Sequence, residues 1–460
     1  MTLSRPICSV KKLFSKTLLN KQLDKEPPYQ TLKNLIDNKP MSGFQILMVA
    51  ICFVLNMNDG IDVLIVSFSS SDIAAEMSLS KVQLGYIFSA GLAGMTIGAL
   101  GIAPMADTLG RRKIFIISLF LITMGMLLVW FCDSYSQLLL LRLVTGLGIG
   151  GILPAMAATA SEFSNTKNRD FNVGLVQAGW PVGAIFTGLF CAYTIPEFGW
   201  RYAFLFAGFV SFVMLIAVII FMTDSVEYLV KKQPEDALEK MNALLTKMKL
   251  AAVNLMPEKP LETATKPFRS LFTKEFQADT IKLWVAIFFG FLTLYTIMSW
   301  VPNIAKESGL PFQMATYVGI ALNIGAAIGT ISLGLVAKKL GLRITVFTYM
   351  LSAFVIMIIY GNVALSPYLI FALIFLIGIF VQGGFNGIYP TLSRVYPTEI
   401  RSTGVGFAVG IGRFGAILGP SLFGLLSDQK LGIGLLFTVF SIPLILMGVS
   451  VYSLKSKRLD

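Results

Sequence analysis

Twelve apolar runs, each close to the length needed to cross a bilayer, constrain this chain more than any other feature of its sequence. A hydrocarbon core about 30 Å thick takes about 20 helical residues at a rise of about 1.5 Å each. The runs fall at residues 44–68, 83–103, 113–132, 137–160, 171–191, 201–222, 281–301, 313–336, 344–362, 366–389, 402–424 and 432–453, separated by polar turns. Backbone amides in lipid must be paired within the protein, which leaves helices or closed barrels. Barrel strands would read as segments of about ten residues with alternating polarity, a pattern the chain lacks. Only 13% of its residues are charged, against about 25% in soluble domains. The fold class expected is an all-α polytopic membrane protein with twelve transmembrane helices.

Charge sets the topology and divides the chain. Lys and Arg number 37, and the positive-inside rule assigns their excess to the cytoplasmic side. With both termini cytoplasmic, that side receives thirty: eight in an N-terminal tail of residues 1–43, nine in the stretch 223–280, ten in four short loops and three at the C-terminus. The outer side receives Lys81, Arg201, Lys306 and Lys430. This asymmetry accounts for the net charge of +12 without a nucleic-acid partner. The tail is too long and too charged for the n-region of a cleaved signal peptide, so no cleavage is expected. The polar stretch 223–280 reads as a cytoplasmic linker between two six-helix bundles, 44–222 and 281–454, with a short tail at 455–460. Inside the linker, apolar residues at helical spacing over Pro234–Leu250 predict a surface helix with Pro234 in its first turn. Cys8, Cys52, Cys132 and Cys191 have no metal-binding or redox spacing and read as free thiols. Cys132 and Cys191 both fall near the outer face, which leaves a disulfide between them open.

The two halves repeat in their loops. Between spans two and three stand Asp107, Gly110, Arg111, Arg112 and Lys113; between spans eight and nine, Lys338, Lys339, Gly341 and Arg343 read as a decayed copy. Glu162 and Arg169 follow span four, and Arg394, Glu399 and Arg401 hold the corresponding place after span ten. The Asp107 loop resembles the signature of the major facilitator superfamily, with Ala103 and Thr108 replacing its first Gly and first Arg. Three further stretches resemble the aromatic acid/proton symporter family within it. These are Asn58, Asp59, Gly60 and Asp62 in span one; Arg142 through Gly146, Gly148, Gly150, Gly151 and Pro154 in span four; and Tyr396, Pro397, Glu399 and Arg401 running to Gly412, Arg413, Gly415 and Pro420 in span eleven. The resemblance implies two pseudo-symmetric six-helix bundles that rock about a solute site at their midplane interface. It also implies an inner gate carrying Asp107, Gly110, Arg111, Arg112, Glu162, Arg169, Glu399 and Arg401, and a bacterial inner membrane as location.

Charges inside a bilayer are costly and normally face a cavity or a partner. The chain has no His, and the carboxylates well inside the spans are Asp59 and Asp62, three apart on one face of span one. A transported proton would ride on one of them. At about 1.5 Å per residue, Asp59 lies about 22 Å from the inner surface, level with Arg142 of span four, so the two are expected to form an ion pair that protonation would break. A static structural pair is the alternative. Arg413 lies about 17 Å in, where the second half offers no carboxylate. Its guanidinium suits a bidentate grip on an anionic solute; pairing across to Asp62 or to backbone carbonyls remains open. Gln177, Tyr295 and Asn323 at similar depth, with Gln382 deeper toward the inside, are candidate pocket residues, although lone amides also serve as contacts between helices.

These residues and the resemblance together imply a secondary transporter that symports protons with a small organic anion such as an aromatic carboxylate. Carriers of a sugar, an organic cation or another metabolite, and a proton-driven exporter, are the neighbouring alternatives; a sensor that kept the fold but lost turnover is the alternative of another class. No nucleophile–base pair, metal cluster or nucleotide loop is present in the sequence, so neither enzyme activity nor any cofactor or metal is expected. The expected partners are the solute, protons and the lipid bilayer, and the chain is expected to act as a monomer.

Overall fold

The computed structural model describes residues 36–37, 39–257, 259, 268–363, 366–455 and 459, with the side chains at positions 398 and 399 outside that set. Twelve of its helices are long and apolar enough to cross a membrane. In chain order they are α1 Gly43–Glu76, α2 Lys81–Gly101, α3 Arg111–Leu127, α4 Tyr135–Glu162, α5 Arg169–Phe198 and α6 Trp200–Phe221 in the first bundle. The second bundle holds α7 Gln277–Glu307, α8 Phe312–Leu340, α9 Leu342–Asn362, α10 Pro367–Asn386, α11 Thr398–Asp428 and α12 Ile433–Tyr452. Local sequence starts several of them. Ser42, Ser80 and Ser134 cap α1, α2 and α4, each paired with the Gln three residues on in a capping box that satisfies donors on both sides. Gly110 and Gly341 precede α3 and α9 at φ of +93° and +79°, a conformation that only glycine adopts without strain. The loop of the second half has thus kept the turn and three cations, Lys338, Lys339 and Arg343, but has no counterpart of Asp107.

Several helices outrun the apolar runs. α1 continues to Glu76 and α5 to Phe198, because a helix leaving the hydrocarbon still satisfies its own backbone whatever side chains it carries. In the linker, helices occupy Val226–Lys232 and Ala237–Lys247. Pro234 is not in the first turn of the second, as the sequence suggested: Pro234 to Ala237 close a turn, with the Ala237 N–H donating to the Pro234 carbonyl at 2.8 Å, and Asp236 is the N-cap. The helix buries Met241, Leu244 and Leu245, and Lys247 stands 5.4 Å from the Phe44 ring at the start of α1. Cys52, Cys132 and Cys191 are free and buried, so the disulfide left open above is not formed; Cys8 lies outside the described residues.

The repeat is visible in the packing. α2 packs on α4 as α8 packs on α10; α1 on α5 as α7 on α11; α3 on α6 as α9 on α12. Between the bundles the exchange is equally symmetric, α2 meeting α11 and α5 meeting α8, with α1 against α7. Hydrogen bonds and ion pairs join the bundles toward the end opposite the termini, here the distal end. Ser67 Oγ donates to the Met298 and Ser299 carbonyls at 2.8 Å, and Ser89 Oγ to the Ile417 carbonyl at 2.6 Å. Lys81 pairs with Glu307 at 2.7 Å and Lys306 with Asp72 at 3.3 Å. The bundles are therefore zipped distally, with their charged midplane residues toward the terminal end.

Candidate functional site

Residues three apart on a helix are separated by about 60° of rotation and about 4.5 Å of rise, and that separation gives the two α1 carboxylates different neighbours. Asp62 is fully buried and faces its own bundle. Its Oδ2 accepts from Asn58 Nδ2 at 3.2 Å, Asn58 also donates to Ser211 of α6 at 2.9 Å, and the Asp62 carbonyl accepts from Arg142 Nη2 at 3.2 Å. Arg142 is 4% exposed, and Asp62 is the carboxylate whose charge acts on it. The expected Asp59–Arg142 pair is therefore replaced by Asp62 beside Arg142. Depth alone resolves partners only to about one turn, 5.4 Å; rotation about α1 decides between them. Asp59, 5% exposed, is acted on instead by Arg413 of α11, across the bundle interface. Asp62, by contrast, has Arg142 as the cation that acts on it. Asp59 Oδ1, Asp62 Oδ1, Arg142 Nε and Arg413 Nη1 are all buried without hydrogen-bond partners.

Arg413 sits among aromatic rings. Its Cζ lies 5.6 Å from the Phe291 ring, and the Tyr295 hydroxyl is close enough to feel its charge. Phe291 stacks on Tyr295, centroids 5.6 Å apart, and meets Phe385 edge-on at 4.7 Å; Phe385 in turn meets Tyr389 at 5.9 Å. The Tyr389 hydroxyl is close enough to feel both Tyr295 and Arg413. Two pairs at i, i+4, one on α7 and one running from α10 into the short helix Ile388–Val395, thus form a cluster of four rings, of which Phe291 faces the guanidinium. Of the four, the sequence singled out Tyr295; the i, i+4 spacing of Phe291 with Tyr295 and of Phe385 with Tyr389 was the signal for the rest. A flat apolar wall beside a fork of N–H donors is chemically suited to an arene bearing a carboxylate.

The remaining pocket candidates separate. Tyr295 also lines a small cavity on the distal side, together with Arg142, Gly91, Ser67 and Met298. Gln382 of α10 shares its helix face with Phe385 and Tyr389 and donates to Asn386 at 3.2 Å. Asn323 is turned back on its own helix, its Nδ2 donating to the Gly319 carbonyl at 2.9 Å, with Oδ1 buried and unpartnered. Gln177 is exposed on α5 and only grazes Asn56, at 3.5 Å. Among the described residues, no hydrogen bond or ring contact joins Gln177 or Asn323 to the Arg413 cluster.

At the terminal end, the signature loop is held inside the first bundle. Arg111 grips Glu162 bidentately, Nε donating at 2.9 Å. The Arg112 backbone N–H donates to Asp224 Oδ1 at 3.3 Å, and the space a Gly110 side chain would need is filled by the same carboxylate. Asp224 was not singled out in the sequence because it stands beyond α6 with no spacing to mark it. Burial pushes its carboxyl above the ordinary range, against the lowering pull of the Arg112 N–H and charge. Arg169 pairs with Asp37 at 2.6 Å rather than with Glu162, because Glu162 is already taken. Asp107 is exposed, Arg401 Nε donates to the Tyr396 carbonyl at 3.3 Å, and the Glu399 side chain lies outside the described residues. Breaking the half-buried Arg111–Glu162 pair strands one charge, at about 3 kcal/mol. Glu162→Arg should therefore lower the apparent melting temperature of the purified protein, and the double reversal Arg111→Glu, Glu162→Arg should recover most of it.

Comparison with known proteins fits this architecture. The family model described as Major Facilitator Superfamily matches residues 48–391 and 321–458. A gallate transporter of Pseudomonas putida is 30% identical over 414 residues, covering 90% of this chain and 92% of its own. The 4-hydroxybenzoate transporter PcaK of Acinetobacter baylyi is 28% identical, covering 91% and 93%. Among solved structures, the D-xylose–proton symporter superposes with a TM-score of 0.71 at 14% identity, over 90% of this chain and 99% of that one; at that identity the likeness speaks for the fold alone. Matched by the family model through both bundles, this chain belongs to the Major Facilitator Superfamily, and is an integral membrane transporter and not an enzyme.

Proposed function

We propose that the protein is a proton-coupled symporter of a small organic anion, with an aromatic carboxylate as its solute. The observation that carries the reading is Arg413: a guanidinium over the Phe291 ring, at the edge of a cluster of aromatic side chains, with one N–H-bearing nitrogen unpartnered and a carboxylate, Asp59, as its counter-charge from the other bundle. The relatives named for gallate and 4-hydroxybenzoate handle aromatic carboxylates, which supports the same class. Coupling follows from competition. While Asp59 is ionised it neutralises Arg413 and holds the bundles together at mid-depth. A proton on Asp59 cancels that attraction and leaves Arg413 for the carboxylate of the solute. Proton and anion then load together as a neutral pair, which crosses a low-dielectric interface at far lower cost than either charge alone. The positive-inside asymmetry supports a cytoplasmic terminal end, so the distally zipped state is inward-facing, and the segment 223–280 is a cytoplasmic linker.

The test is uptake of labelled 4-hydroxybenzoate and gallate into proteoliposomes under an imposed inward proton gradient. Accumulation above the outside concentration is expected, collapsing when a protonophore removes the gradient. If correctly folded protein accumulates no carboxylate, while a neutral sugar or an organic cation is accumulated, the solute class is wrong.

A further inference from the structure

Beside the Arg413 cluster, α8 and α10 carry a short polar chain whose hydrogens are ordered by geometry. Thr330 Oγ1 donates to the Ala326 carbonyl one turn back, at 2.9 Å. A hydroxyl has one hydrogen, so the Thr330 oxygen facing α10 acts as an acceptor. The Asn386 group 2.7 Å away must then be its NH₂, which donates to it. That orientation turns the Asn386 Oδ1 toward Gln382, whose Nε2 donates to it at 3.2 Å. Each amide is thereby fixed by its neighbour, in the way flips are properly assigned. The chain ends on Gln382 Oε1, a buried acceptor with no partner. A buried carbonyl left unmade is costly, so a network ordered to end on one is a site lacking its donor.

Its position relates it to the solute. Gln382, Phe385, Asn386 and Tyr389 recur at three- and four-residue spacing, one stripe of α10 continued into the next helix. Phe385 is the ring that touches Phe291, which underlies Arg413. Gln382 stands one turn distal to Phe385, an offset of about 5 Å, comparable to the width of an arene. Thr330 is exposed on α8, so the polar chain runs from the surface of that helix to the buried Gln382 carbonyl.

Resting on the anion reading above, we propose that Gln382, held by Asn386 and Thr330, is a specificity subsite that accepts a hydrogen bond from the far end of the solute. The subsite discriminates by hydrogen-bond sense. A phenolic hydroxyl donates and completes the chain; a methoxy group of similar reach offers only acceptors and meets a fixed acceptor; an unsubstituted ring leaves the carbonyl unmade.

The experiment is inhibition of 4-hydroxybenzoate uptake in proteoliposomes by unlabelled 4-hydroxybenzoate, 4-methoxybenzoate and benzoate. For the wild type, inhibition constants are expected to rise at least about tenfold from the hydroxy to the methoxy and unsubstituted compounds, in line with one net hydrogen bond and one repulsive contact. Gln382→Leu should compress that ratio toward unity. Thr330→Val, which removes no volume and frees the amides to flip, should compress it in part. If the three compounds inhibit the wild type equally, or if both variants keep the wild-type ratio, the subsite is overturned while the anion reading stands. If the wild type takes up no carboxylate at all, both fall together.

Discussion

Arg413→Lys is expected to reduce uptake of an aromatic carboxylate by at least about a hundredfold, although the charge is retained. Losing the groups that hold a buried, hydrogen-bonded charge costs about 2 to 5 kcal/mol, and about 2.7 kcal/mol is a hundredfold. Lysine keeps a point charge but not the planar fork that meets a carboxylate with two parallel bonds. It also gives up the flat face that Phe291 supports from 5.6 Å. The loss should appear as a raised concentration for half-maximal uptake, measured in proteoliposomes with folding checked by the elution profile and melting temperature. Arg142→Lys offers the contrast. Arg142 is held by the Asp62 carbonyl and lies 4% exposed within the first bundle, so its replacement should reduce stability and turnover more than apparent affinity. Uptake by Arg413→Lys with unchanged half-saturation would remove Arg413 from the solute site.

The second large effect is a change of kind. Asp59→Asn leaves a group of the same shape that never ionises, so the counter-charge that Arg413 meets across the interface is permanently absent. Carboxylate binding should persist or tighten, and exchange of internal for external solute should continue. Net accumulation driven by a proton gradient should fall to the equilibrium level, because no proton is carried. Asp62→Asn should behave differently. Asp62 is committed to Asn58 and lies beside Arg142, so that variant should lose stability together with exchange. Gradient-driven accumulation by Asp59→Asn, comparable to that of the wild type, would transfer the coupling role elsewhere.

Span number and the glycine turns were legible in the sequence because each rests on a local rule. A run of about 20 apolar residues must be a helix in lipid, Ser with Gln three residues on starts one, and a tight turn at positive φ takes glycine. The buried charges were legible as a set for the same reason, since Asp59, Asp62, Arg142 and Arg413 have no business in hydrocarbon unless they meet something. The Pro234 turn shows the limit of such rules, as the proline preceded its helix and did not enter it.

What only the tertiary structure decided is which charge faces which. Depth along a helix follows from a count of residues, whereas the direction of a side chain depends on how the helix is rotated in its bundle, and about 60° of rotation sends Asp62 to Arg142 and Asp59 to Arg413. The same holds for Asp224 beneath Gly110, for Asp37 on Arg169, and for Phe291 under the Arg413 guanidinium. Those contacts join residues far apart in the chain, and sequence periodicity carries the spacing within a helix but nothing about its neighbour.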